Sequence, residues 1–280
     1  MTLRPATLTA AVLGLSVLGF DPLVADDKKP DKKTVAFFKA VRDGDLAGIQ
    51  EAVKKKVDLG ALDDSDNTAL GNAAVAGRAD VVDALLKAGA KIDQPSGGGA
   101  TPLLLVARNG RSDIARALLA ASADKAAVDR RGRSLLFHAI RGGDAAFVEE
   151  VIAGGADVNA SDENNRTPLM VACEGGQAEV VAALLGAKAN VNARDSKTGQ
   201  TAMMAAALGG HDEVVKTLLK EGADVGLKDN DGQTAQRLAE DSQHPNTAEL
   251  LKPRPVRAPK AAKAPPRAAA KPTAKPSPKP

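Results

Sequence analysis

A period of 33 residues runs through most of this 280-residue chain. Residues 162–194 form one complete unit, marked by the triplet Thr167-Pro168-Leu169, and related triplets recur at intervals of 33 or 34 residues. The related triplets begin at Thr68, Thr101, Ser134, Thr201 and Thr234. A fixed period of this length is typical of stacked repeats, in which each unit buries its apolar face only against its neighbours.

Each unit has the pattern of two short helices and a loop. Thr167 is suited to cap the first helix, and Pro168 fits the first helical turn, where its missing N–H costs nothing. Apolar residues then recur at helical spacing, Gly175-Gly176 end the helix, and residues 180–185 carry a second apolar face. Each helix spans about eight residues, fewer than the roughly 12–15 needed for a helix to persist alone in water. The units must therefore be stabilised by stacking.

Four motifs make the unit resemble the ankyrin repeat: Thr-Pro-Leu, Val-Val-x-x-Leu-Leu at 180–185, Gly-Ala-Asp-Val-Asn at 155–159, and Gly-His at 210–211. The resemblance covers about residues 35–251, or six to seven repeats including both terminal caps. It implies an all-α fold, a curved solenoid of helix-turn-helix units with β-hairpin fingers along one edge. It also implies protein binding through the concave face and fingers, with no enzymatic activity common to the family.

The N-terminal residues 1–25 have the pattern of a signal peptide. Arg4 precedes an apolar run at residues 10–20, which is too short for a membrane span of about 20 residues and is ended by Asp21-Pro22. Cleavage is expected after Ala25 or Gly19, and the mature protein is expected to be periplasmic or secreted. The alternative is a disordered or buried N-terminal segment.

Two further segments lie outside the predicted repeats. Residues 26–34 are charged and poor in apolar residues, which predicts a solvated spacer. Residues 252–280 contain nine Pro, eight Ala, six Lys, three Arg and no acidic residue. This composition predicts a disordered, extended cationic tail, able to contact anionic polymers or lipid head groups. The alternative is a spacer that only adds solubility.

Several units depart from the repeat pattern. Ser122 and Lys188 occupy a column that holds glycine in three other repeats, where a left-handed backbone is expected after the second helix. Lys125 stands in a column of apolar residues otherwise filled by Ile92, Val158, Val191 and Val225. Two of these departures, Ser122 and Lys125, fall in repeat three. The junction between repeats three and four is therefore predicted to be a soft point.

The chain offers little for catalysis. Its one cysteine, Cys173, lies on an apolar helix face and is expected to be buried. The histidines His138, His211 and His244 are expected to occupy different repeat registers, which predicts no shared metal site. No glycine-rich phosphate-binding motif is present. We therefore expect no enzymatic activity, no metal site and no cofactor.

One pattern of basic residues predicts a partner site. The last position of the first helix carries arginine in consecutive repeats, and the neighbouring fingers carry more arginines. The predicted site comprises Arg108, Arg130, Arg131, Arg133 and Arg141, with Arg166 at its border. By the geometry of the family these residues would line the concave face and bind an acidic protein surface; the alternative is scattered surface charge.

The sequence thus predicts an exported, non-catalytic scaffold that binds a protein partner through an ankyrin stack. The alternative is an envelope- or nucleic-acid-associated protein in which the cationic tail binds. Specific nucleic-acid binding is not expected, because the chain has no Trp, no Tyr and only five Phe to provide stacking platforms. No segment after the leader is long and apolar enough to span a membrane.

Overall fold

A computed structural model describes residues 31–252 of the chain. The predicted signal peptide, most of the charged spacer and the tail from residue 253 onward lie outside these described residues. Within residues 31–252 the chain forms fourteen helices arranged as seven consecutive pairs. No described helix is long and apolar enough to cross a membrane.

The first helices of the seven pairs are α1 Lys32–Asp43, α3 Ala69–Val75, α5 Pro102–Arg108, α7 Leu135–Gly142, α9 Pro168–Glu174, α11 Ala202–Leu208 and α13 Ala235–Asp241. The second helices are α2 Leu46–Lys54, α4 Ala79–Lys87, α6 Ser112–Ala120, α8 Ala145–Ala153, α10 Ala178–Gly186, α12 Asp212–Lys220 and α14 Pro245–Leu250. The predicted all-α repeat architecture is confirmed, with one helix pair in each repeat.

Helix starts follow the predicted capping. The Thr167 hydroxyl accepts a hydrogen bond from the Met170 backbone N–H, and Pro168 occupies the first turn of α9. Threonine caps α3, α5, α11 and α13 in the same way, each accepting from the backbone N–H three residues ahead. Ser134 is different, because it precedes α7 without making a capping hydrogen bond. Repeat four therefore begins with a weaker helix start than its neighbours.

The hydrophobic core runs along the whole stack. Val180, Val181, Leu184 and Leu185 are all buried on α10, as their spacing predicts. The first helices of neighbouring repeats pack more closely than the second helices do. Small residues such as Ala172 on α9 and Ala206 on α11 are fully buried between them, so two backbones can approach. The closer packing on one side bends the stack towards the first helices, which form its inner face.

The fingers between repeats are loops rather than β-hairpins. Residues 31–252 contain no strand, only an isolated antiparallel bridge between Leu62 and Thr68. In the finger of repeat four one backbone hydrogen bond joins Asp129 N to Arg133 O at 3.2 Å, and Gly132 turns the tip with φ 72°. The chain reverses within these few residues, which leaves too few to pair as a ladder. The β-hairpin detail of the fold prediction is not confirmed.

The first repeat begins earlier than its apolar pattern indicates. Helix α1 starts at Lys32 rather than at Val35. The Asp31 carboxylate accepts a hydrogen bond from the Thr34 N–H at 2.6 Å and caps the helix. Three polar residues of the predicted spacer are helical because this cap allows the first turn to form ahead of the apolar face.

Candidate partner-binding surface

Two of the predicted arginines lie on adjacent first helices. Arg108 is the last residue of α5, Arg141 precedes the last residue of α7, and both side chains are exposed. Helices α5 and α7 pack directly against each other on the inner side of the stack. The two positions therefore belong to neighbouring repeats on the inner face, as the sequence predicts.

The arginines of the fourth finger have different environments. Arg133 is mostly buried and its guanidinium bonds the Asp129 carboxylate, with Nε at 2.8 Å and Nη2 at 2.6 Å from Oδ2. Arg131 is exposed and only loosely paired, its Nε lying 3.7 Å from Oε1 of Glu163. Arg130 is exposed at the tip. Arg133 is thus part of the finger's own structure, whereas Arg130 and Arg131 face solvent.

The exposed Arg130 depends on a glycine in the preceding finger. Gly99 has φ 78°, and a Cβ at this position would lie 2.6 Å from Cγ of Arg130 and 2.9 Å from its backbone nitrogen. Any larger residue would collide with Arg130 or move it. The Gly-rich third finger, residues 96–99, therefore makes room for the fourth.

A groove on the inner face contains the remaining predicted residues. It has a volume of about 530 Å3, and Arg131 and Arg166 line it beside Glu174, Asp195 and Lys197. The Arg166 guanidinium is hydrogen-bonded to the Glu174 carboxylate. This groove carries both signs of charge, so it is a less selective site for an acidic surface than the sequence indicates. Arg108 and Arg141 lie outside it.

A buried histidine links the fourth finger to α7. His138 is 1% exposed, and its Nε2 lies 3.1 Å from Oδ2 of Asp129. Burial lowers the pKa of His138 to about 4; Asp129 opposes this shift, and the positive charges of Arg133 and Arg108 add to it. The ring is therefore neutral at neutral pH.

The carboxylate of Asp129 is held in its charged form. Burial alone would raise its pKa, but hydrogen bonds from the Arg133 side chain and from the backbone N–H groups of Arg133 and Arg131 lower it overall. The same aspartate therefore orders the finger backbone, neutralises Arg133 and positions His138. The sequence did not predict this contact, although the spacing was visible in it: Asp63 and Asn72 are also nine residues apart. In the structure these two side chains are hydrogen-bonded at 2.6 Å.

The other candidate chemical groups are structural. Cys173 is fully buried, and burial raises the pKa of its thiol well above the ordinary value. His211 and His244 share one register, which corrects the expectation that the histidine registers all differ. Each bonds a carbonyl of the preceding repeat, Nε2 of His211 to Glu174 O and Nε2 of His244 to Leu208 O, both at 3.1 Å. They join repeats rather than supporting turns alone.

No group of three or more His, Cys, Asp or Glu residues in the described part of the chain is arranged to hold a metal ion. The described residues therefore supply no candidate metal centre. The one feature that sequence analysis could not anticipate is an apolar cavity of about 520 Å3 beside Lys125, between repeats three and four. The substitution was visible in the sequence, but the cavity depends on how far apart the helices stand.

Comparison with known proteins agrees with this architecture. The family profile described as ankyrin repeats (3 copies) matches three overlapping segments, residues 37–129, 103–195 and 188–258. No curated protein matches the chain. The matched segments together span most of the sequence and reach from α1 to the last helix pair, so the chain belongs to the ankyrin-repeat family.

Proposed function

We propose that this protein is a non-catalytic scaffold that binds an acidic protein surface through the inner face of its repeats. Ankyrin repeats are generally protein–protein interaction modules. The observation that carries the proposal is the pair Arg108 and Arg141, exposed on adjacent first helices. Neither they nor Arg130 form an ion pair with any carboxylate among residues 31–252, so their guanidinium groups are available to a partner.

The chemistry of arginine favours an acidic partner. A guanidinium group pairs with a carboxylate through two parallel hydrogen bonds, and arginine is frequent among interface hot spots. Since the whole chain carries a net charge of +3 and residues 252–280 carry +9, residues 1–251 carry −6. The basic residues on the inner face therefore belong to a segment whose net charge is negative. The overall charge of that segment does not explain why they occur together.

The decisive experiment reverses the two inner charges. The partner is isolated by affinity capture from the native host and its binding to the Arg108→Glu, Arg141→Glu double variant is measured by calorimetry. We expect affinity to fall at least about 100-fold, or about 3 kcal/mol, because like charges then face each other. The double variant should retain the wild-type helical content and melting temperature.

The control variant is Lys220→Glu at the end of α12, where an exposed cation on an outer helix is reversed. Arg116 is less suitable as an outer-face control, because its guanidinium makes two hydrogen bonds to Glu150 across a repeat junction. We expect Lys220→Glu to leave affinity within about twofold of wild type. Equal losses in the two variants would disprove the inner-face site.

The tail supports a second candidate function, binding to an anionic envelope polymer or lipid surface. Nine positive charges without an acid give an attraction that weakens as salt rises. Full-length protein and a variant lacking residues 252–280 are compared for binding to anionic vesicles at low salt and at about 0.5 M salt. Binding that needs the tail and disappears at high salt supports this function; salt-resistant or tail-independent binding excludes it.

Export is part of the proposal and rests on the leader pattern of residues 1–25. Intact-mass analysis of the protein from its native host should reveal a mature chain that begins near Asp26 or Phe20. A chain that retains residues 2–25 would contradict a periplasmic or secreted location.

A further inference from the structure

The junction between repeats three and four, here called the third junction, contains an apolar cavity that is partly open to solvent. Its volume is about 520 Å3, and its walls include Leu119 from α6, Leu135 from α7, and Phe147 and Val151 from α8. Val128 also lines the cavity and is 52% exposed. Small-molecule sites are typically apolar clefts of roughly 300–1,000 Å3 with a few polar groups, so the size and lining suit a ligand.

The cavity coincides with a loss of loop contacts. In neighbouring repeats the column of Lys125 holds an apolar residue that packs on the core, such as Val158, which is 8% exposed. Lys125 instead lies over the cavity and donates a hydrogen bond from Nζ to the Gly154 carbonyl at 3.0 Å. A lysine at this position cannot fill apolar space with its charged end.

The helices at the third junction are close on one side and separated on the other. Gly142 allows α7 to approach α5, because a Cβ there would collide with the Ala107 carbonyl oxygen. On the outer side α6 and α8 make little contact, and Arg116 spans them with hydrogen bonds of 2.8 and 2.9 Å to Glu150. The result is a wedge-shaped space that the protein's own side chains do not fill.

The polar groups around this space define the ligand chemistry. The Ser134 hydroxyl lines the cavity, is buried, and has no hydrogen-bond partner among the described residues. The Lys125 ammonium uses one of its three donors on Gly154 and keeps two. Of the two lining carboxylates, Glu150 is paired with Arg116, and Asp157 accepts the Asn159 backbone N–H within its own loop.

We infer that the cavity at the third junction binds a single-chain amphiphile, an apolar body of about ten carbons with one anionic head group. The apolar body lies against Leu119, Phe147 and Val151, and the head group receives hydrogen bonds from Lys125. Burial of the chain supplies most of the affinity, because each buried methylene contributes favourably, and the cation selects the charged head. This site is separate from the inner-face arginines.

The test uses decanoate below its micelle concentration and the anionic fluorophore anilinonaphthalene sulfonate as probes on the full chain. Wild type should bind the fluorophore saturably at one site, and decanoate should displace it. The variant Lys125→Val restores the apolar residue of the neighbouring repeats and should weaken binding of both probes at least about tenfold, since it fills the cavity and removes the cation. It should also raise the melting temperature.

Two further variants separate volume from charge. Lys125→Gln keeps the side-chain length, and we expect it to weaken decanoate severalfold while leaving neutral decanol unchanged. Lys228→Val removes an exposed loop lysine elsewhere and should bind both probes like wild type. Absence of saturable binding to wild type, or equal binding by wild type and Lys125→Val, overturns the site. Equal binding of decanoate and decanol overturns the anionic head group.

Discussion

The third junction and the next one, between repeats four and five, join units of the same length by different contacts. At the fourth junction Asn159 accepts a hydrogen bond from the Asn190 backbone N–H at 2.8 Å, and the Glu163 N–H donates to Arg131 O at 2.8 Å. At the third junction the position equivalent to Asn159 is occupied by Ala126, whose side chain cannot accept a hydrogen bond. Neither the loop hydrogen bond nor the finger hydrogen bond forms there.

The comparison shows where the strength of a junction resides. Helices α5 and α7 pack as closely as any two first helices in the stack. The third junction is therefore not weak on its inner side; it lacks the two backbone hydrogen bonds that the fourth junction forms in its loop and finger, and it lacks the apolar filling residue. In a stack whose stability is a sum of units and nearest-neighbour interfaces, one such junction is expected to reduce the cooperativity between the repeats on its two sides.

The largest expected difference comes from truncating equivalent leucines in repeat three, which borders the third junction, and in repeat five, whose second helix packs on both of its neighbours. Leu185 on α10 is 7% exposed, whereas its counterpart Leu119 on α6 is only partly buried and lines the existing cavity. Leu185→Ala should cost about 2–5 kcal/mol, because it removes packed atoms and leaves a new void. Leu119→Ala should lower the free energy of unfolding by only about 1–2 kcal/mol, since Leu119 already faces the cavity and its truncation removes less buried apolar surface. Urea denaturation of both variants measures the difference, and equal losses would contradict it.

A second difference concerns pH. The pKa of His138 in the folded protein is about 4, below the ordinary value of 6.5, so the unfolded chain binds more protons between these two values. Stability is therefore complete above about pH 6.5 and falls as pH decreases towards 4, by an amount on the order of 3 kcal/mol. The lowered pKa of Asp129 adds a further loss as pH falls through its folded value.

A matched variant isolates the histidine. In repeat two Asn72 occupies the equivalent position and donates from Nδ2 to the Asp63 carboxylate. His138→Asn should keep this contact with Asp129 but cannot gain a proton. Unfolding free energy measured between pH 7 and 4 should change markedly less in the variant than in wild type. If both proteins lose stability in parallel, the histidine is not the source of the dependence.

Sequence predicted the periodic features better than the long-range ones. The repeat register, the threonine caps and the buried face of α10 depend on local spacing, so they could be inferred directly. The environments of the arginines could not be inferred from the sequence. Arg133 and Arg108 are the same residue type, but the Arg133 side chain folds back and pairs with Asp129. The cavity was equally hidden, because Lys125 marks a departure from the pattern without revealing the separation of α6 and α8.

The smallest expected effects concern the loop that follows the second helix in repeats three and five, and here the two repeats should not differ. The predicted left-handed backbone is confirmed, with φ 68° at Ser122 and φ 70° at Lys188, where Gly89, Gly155 and Gly222 stand in other repeats. A side chain in this conformation costs on the order of 1 kcal/mol, partly offset by the greater freedom of glycine in the unfolded chain. Ser122→Gly and Lys188→Gly should therefore each raise stability by about 0.5–1 kcal/mol, with an unchanged slope in urea denaturation.

Equal gains would place the difference between the junctions in their side chains rather than in the loop backbone. A gain at Lys188 without one at Ser122 would instead show that the loop of repeat three is already relaxed by the open junction, and a loss at either site would contradict the strain argument.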